Sequence, residues 1–98
     1  MVDDICPWQH RDVGSPMLSA IGNTANCKCK ITFSSQYIDA TLELWQGSTL
    51  IASWHRTGNG RVDYSETATI VNGLSYTLTV SGTVDGVAFT SRSVTKTL

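Results

Sequence analysis

The sequence predicts an all-β fold, a two-sheet antiparallel β-sandwich of about seven short strands. Three observations carry that expectation. Apolar and polar residues alternate with period two along most of the chain. Gly, Asn and Asp punctuate these runs at spacings of roughly 8–12 residues. No segment shows the 3.6-residue period of an amphipathic helix. Composition agrees: 41% of the residues are hydrophobic and only 15% charged, against about 25% charged in soluble domains generally. Ser and Thr make up the difference, as on the exposed faces of many secreted β-proteins. Ninety-eight residues make one domain, long enough for a single core.

Residues 1–16 hold both prolines, Pro7 and Pro16, and no usable period. They read as an arm packed on a domain spanning 17–98, with Cys6 as its anchor. Met17 to Asn23 is an expected edge strand, given the Pro before it, and Asn23-Thr24-Ala25-Asn26 an expected turn. Cys27 to Phe33 alternates with Cys27, Cys29, Ile31 and Phe33 inward and Lys28, Lys30 and Thr32 outward. A turn at Ser34-Ser35-Gln36 leads into a strand from Tyr37 to Gln46.

Ala40 to Thr57 (ATLELWQGSTLIASWHRT) reads as the hairpin that sets both faces of the domain. A two-residue loop at Gly47-Ser48 pairs Leu44 with Ile51 and Trp45 with Leu50, mixing the faces. A three-residue loop, Gly47-Ser48-Thr49, pairs Leu44 with Ala52 and Leu42 with Trp54 and gathers one apolar face. That register is preferred, with Leu50, Ala52 and Trp54 inward. Gly58-Asn59-Gly60 is expected to turn the chain through a positive φ. Val62, Tyr64, Ala68 and Ile70 then share the inward side of a strand over Arg61–Val71.

Asn72-Gly73 resembles a hairpin turn, yet a two-residue loop there sets Ile70 against Ser75. The chain is therefore expected to cross between sheets. Leu74 to Val80 alternates strictly. Asp85-Gly86 does suit a hairpin, with Val84 opposite Val87 and both Val87 and Phe89 inward. Continued alternation puts Ser91 and Ser93 inward and leaves Val94 and Leu98 out, so a bulge is expected near Arg92.

Leu74 and Tyr76, within Ile70 to Val80, resemble the corner leading into the sixth strand of fibronectin type III and other immunoglobulin-like modules. There a Leu precedes a Tyr whose hydroxyl returns to the backbone. The resemblance covers about the last third of the chain, without the Cys…Trp…Cys spacing of antibody domains. It implies an immunoglobulin-like architecture and no particular activity. The texture of the whole chain is also similar to small secreted domains of Gram-positive bacteria of unassigned role. A secreted or cell-surface location is expected. Since Met1-Val2-Asp3-Asp4 carries no signal peptide, the chain would then be a mature form with an added start. A cytoplasmic or phage protein with its natural start is the other reading.

The cysteines are Cys6, Cys27 and Cys29. Cys27 and Cys29 lie two apart on one strand, about 6.6 Å between Cα atoms with parallel Cβ vectors, which is poor disulfide geometry. A disulfide from Cys6 to one of the other two is expected, stabilising by about 3 kcal/mol. Cys6, His10, Cys27 and Cys29 also compose a Cys₃His zinc set, but a C-x-C on an extended strand splays its sulfurs. No metal and no cofactor are expected.

Net charge is −1 without a basic run, so nucleic acid and anionic membrane are poor partners; no apolar run reaches the length of a membrane span. His10 and His55 stand in no nucleophile motif, and neither a G-x-S-x-G nor an H-E-x-x-H occurs. The expectation is a non-catalytic binding module. Its contact face carries Trp45, Ile51, His55 and Glu43 and suits a glycan or protein surface. The competing readings are a Trp45 covered by the arm through Trp8, and a structural protein that self-associates through edge strands or an unpaired cysteine.

Overall fold

A computed structural model describes residues 11–98. Seven strands follow in chain order: β1 Arg11–Val13, β2 Met17–Ile21, β3 Thr24–Gln46, β4 Thr49–Thr69, β5 Ser75–Val84, β6 Val87–Ala88 and β7 Arg92–Thr97. Every pairing is antiparallel, and all belong to one hydrogen-bonded sheet. The all-β, antiparallel expectation holds. In place of separate layers, however, one sheet curls into a half-barrel.

The reason lies in β3 and β4. The expected turns at Ser34–Gln36 and Gly58–Gly60 are instead kinks inside two continuous strands. Pairing shifts at two places, near the hairpin end between Leu44 and Trp45 and at the bend, where Phe33 to Gln36 lie opposite Gly60 alone, with Ser35 at φ 57°. A straight 23-residue strand would span about 75 Å, while the longest dimension of the molecule is 44 Å. The hairpin therefore bends. One limb carries Thr24–Phe33 with Arg61–Thr69, flanked by β1 and β2; the other carries Tyr37–Gln46 with Thr49–Asn59, flanked by β5, β6 and β7. Gly58 sits at the bend because a Cβ there would lie 2.5 Å from the Arg61 carbonyl oxygen.

Extra residues in β3 at the kink also switch its parity, which keeps both apolar runs inside. Ala25, Cys27, Cys29 and Ile31 are buried before it, and Ile38, Ala40, Leu42 and Leu44 after it. Leu18, Val62, Tyr64, Ile70, Tyr76, Leu78, Val80 and Val84 complete the core, with Trp54 and Ala68 packed against it. Burying each Leu or Ile of this set contributes about 1.5–3 kcal/mol. One buried hydrogen bond ties the limbs together: the Tyr64 hydroxyl donates to the Ala40 carbonyl oxygen at 2.6 Å.

Several expectations need correction in detail. The first turn falls at Gly22-Asn23, and Thr24 to Asn26 already pair with β2. Val87 pairs with Val84 as expected but is 71% exposed, because the two-residue β6 lies at the mouth of the curl. The bulge expected near Arg92 is an interruption over Phe89–Ser91. It resets the parity, so Ser91 and Ser93 are exposed while Val94 and Leu98 pack on the core. At Asn72-Gly73 the expected crossing between sheets is a passage within the one sheet, from the limb holding Thr69 to the limb holding Ser75. There the Tyr76 hydroxyl accepts from the Val71 N–H at 2.8 Å.

Residues 11–13 of the expected arm pair with β3, while Cys6, Trp8 and His10 lie outside the described residues. Within those residues there is no disulfide.

Candidate functional site

With Leu42 and Leu44 fully buried, the two-residue period of β3 sends Thr41, Glu43 and Trp45 to the outer face. The preferred register is the one observed, Leu42 opposite Trp54 and Leu44 opposite Ala52. The loop length is not. Gly47-Ser48 forms a two-residue turn that pairs Gln46 with Thr49 and Trp45 with Leu50, and a bulge at Ile51 then restores the register. Leu50 is thereby moved from the expected inner face to the outer one, beside Trp45. Leu50 and Ile51 are 45% and 38% exposed.

The four expected contact residues therefore share one surface, but not one point. Trp45 is half-buried and stands with Leu50 at the hairpin end. Glu43 is half-buried between Ser53 and Thr79. His55 is exposed opposite Thr41, two pairs further along and about 13 Å from Trp45 at strand spacing. Its imidazole Nε2 is hydrogen-bonded to the Asp39 carboxylate. The face is thus an apolar end (Trp45, Leu50, Ile51), a carboxylate in the middle and an oriented imidazole at the far end.

The inner side holds the buried side chains of Cys27, Cys29 and Tyr64. Cys27 is a fully buried thiol pushed up to about 11, chiefly by burial and then by the nearby Glu66. Cys29 donates its S–H to the Gly14 carbonyl oxygen at 3.5 Å. A thiol raised as Cys27 is makes a poor nucleophile, because the thiolate is the reactive form. Tyr64 is pushed up to about 12, again first by burial and then by Cys29. Where the open edge meets solvent, Arg56 donates to Glu66 at 2.5 Å across the two limbs. That bond holds the guanidinium more firmly protonated than usual. Among the described residues no group of three or more His, Cys, Asp and Glu side chains is placed to hold a metal. Cys6 and His10 of the zinc set lie outside those residues.

Two features went unread in the sequence. The first is a cleft of about 380 Å³ at the kink end, lined by Phe33, Gln36, Val84, Asp85, Val87 and Phe89 among others. The Phe33 and Phe89 rings stack with centroids 6.3 Å apart. Its one carboxylate is already engaged, since Asp85 accepts from the Tyr37 N–H at 2.8 Å and from Gln36 at 3.3 Å. Without further polar groups converging on it, this cleft has little means of orienting a ligand. The second is a set of hydroxyls on β5 and β7 that extends the Trp45–Glu43 face sideways. Only the strand order could have revealed it. No protein-family model matches the chain, and no curated protein or solved structure matches it.

Proposed function

We propose that this protein is a non-catalytic, secreted or cell-surface binding module. It contacts a glycan or protein surface through the outer face bearing Trp45, Ile51, His55 and Glu43. The observation that carries this reading is the half-buried indole of Trp45 beside exposed Leu50 and Ile51, on a sheet whose other side is a packed core. A large aromatic side chain held by a rigid strand loses little entropy on contact, which suits it to be an anchor. Immunoglobulin-like affinity of the fold belongs to the same proposal, supported by the antiparallel strands and the Tyr76 corner. Retention of the chain on bacterial cell-wall preparations and immobilised polysaccharides, compared with folded Trp45→Ala, tests the reading. Loss of retention in the variant supports it, and equal retention refutes it.

A second reading is self-assembly, favoured by one observation. β4 runs 21 residues and, among the described residues, pairs with β3 alone. An unpaired edge of that length is a template for another strand. A concentration-dependent dimer in sedimentation would support it, and a monomer at every concentration would refute it.

A further inference from the structure

Resting on the reading of the outer face as the contact surface, we infer that its ligand is an uncharged polysaccharide lying across the strands. The site extends beyond the hairpin onto β5 and β7. The register lays out two rows across the sheet. One is Leu50, Trp45, Thr77 and Thr95; the other is Ser53, Glu43, Thr79 and Ser93. Neighbouring strands are about 4.8 Å apart, so each row spans about 14 Å and the rows lie about 7 Å from one another. That is a track on the outer face of the curled sheet, long enough for a short run of pyranose rings.

The chemistry of the track selects the ligand class. Each Ser and Thr hydroxyl both donates and accepts, as sugar hydroxyls do. Thr77 and Thr95 are already aligned, their Oγ1 atoms 2.9 Å apart. The Glu43 carboxylate offers two acceptor oxygens for neighbouring hydroxyls of one ring, and the Trp45 indole gives an apolar plane on which a pyranose face packs. Charge decides the rest. Neither row contains Lys or Arg, and their one ionisable group is the acid Glu43, so uronate-, sulfate- or phosphate-bearing polymers are repelled. A protein partner would instead look for a wider apolar centre than the Trp45, Leu50 and Ile51 end supplies.

The test compares wild type, Trp45→Ala and the double variant Thr79→Val/Thr95→Val. Valine keeps the β-branched shape while removing the hydroxyls, so folding is retained and checked by circular dichroism. Depletion binding is measured on cellulose, chitin, mannan and xylan, with polygalacturonate and heparin as charged counterparts. The expected result is binding to a neutral polymer but not to a charged one, weakened about tenfold or more by the double variant, as for two lost hydrogen bonds. Wild-type affinity in the double variant, or preference for a charged polymer, overturns the inference. Trp45-dependent retention on cell-wall preparations with no neutral polysaccharide bound also overturns it, yet leaves the contact face standing. Loss of both removes the face as well.

Discussion

Replacing Tyr64 by Phe tests the curl of the sheet directly. Tyr64 is on the limb formed with Thr24–Phe33, and its hydroxyl reaches the Ala40 carbonyl on the other limb at 2.6 Å. Such a contact exists only if the limbs face each other. Tyr64 is 2% exposed and Ala40 fully buried, so water does not readily replace the lost donor. Phenylalanine keeps the ring and its packing, and the expected cost is that of one buried hydrogen bond, about 1–3 kcal/mol. For a chain of this size that is about 4–8 °C in Tm per kcal/mol. Titration gives a second, independent readout. The phenol is pushed up to about 12 from 10.0 by burial first, so the native state keeps a proton that the unfolded chain releases. This contribution to stability is complete below pH 10 and is lost as pH rises towards 12. It is absent from the Phe variant, so the stability gap between the two proteins narrows over that window. Urea unfolding at a series of alkaline pH values, with phenolate absorbance followed alongside, measures both. An unchanged midpoint in the variant, or a gap that does not vary with pH, would refute the stacked limbs.

Other expectations follow from the same geometry. Gly82 lies opposite Ala40, where a Cβ would sit 2.1 Å from the Asp39 carbonyl oxygen; Gly82→Ala should cost about 3 kcal/mol or more in urea unfolding, as backbone clashes do, and a neutral effect would mean β5 is not seated there. Leu42→Ala, at a fully buried site opposite Trp54 and Val80, should cost about 2–5 kcal/mol and redshift Trp emission. A cost typical of a surface site would displace Leu42 from the core. Cys27, with its thiol pushed up to about 11, should resist alkylation in the native protein at neutral pH and react on unfolding. Labelling at the unfolded rate would contradict its burial. Stability supplied by Arg56 and Glu66, a half-exposed guanidinium on a carboxylate, should disappear in molar salt; a coupling that survives salt would assign the pair a buried role.

What could be read before the structure was whatever alternation alone determines. The inward sets Cys27–Cys29–Ile31 and Leu42–Leu44, the Leu42–Trp54 register and the absence of a hairpin pairing at Asn72-Gly73 all follow from matching apolar faces across a pair. What could not be read is where a strand ends. Ser34-Ser35-Gln36 and Gly58-Asn59-Gly60 carry the residues of turns, yet the same two strands pair again on the far side of the bend, because a kink and a turn both need small residues and positive φ. The Ile51 bulge was hidden for a related reason. It yields the same inner register as a longer loop, and only the position of Leu50 distinguishes the two. The hydroxyl rows depend on β5 lying beside β3 and β7 beside β5, a long-range order that alternation within one strand does not encode.

The edge of β4, which among the described residues pairs with β3 alone, bears on both functional readings. A long, flat, apolar edge favours assembly, but this one carries three features that blunt edges in monomeric sheets. The Ile51 bulge interrupts its regular pairing, the Gly58–Gly60 kink breaks it into two short limbs, and Arg56, Arg61, Asp63 and Glu66 place charge along it. A second copy would have to follow the bend and desolvate the Arg56–Glu66 bridge at once, losing interactions that the single chain already makes. The outer face has no such conflict. Its residues are oriented by pairing within the sheet and spend no core contact on remaining exposed, so a ligand can settle on Trp45 and the hydroxyl rows without rearranging either limb. The bend that closes the core thus discourages strand addition at the edge and leaves the face available, which is why the binding reading is preferred.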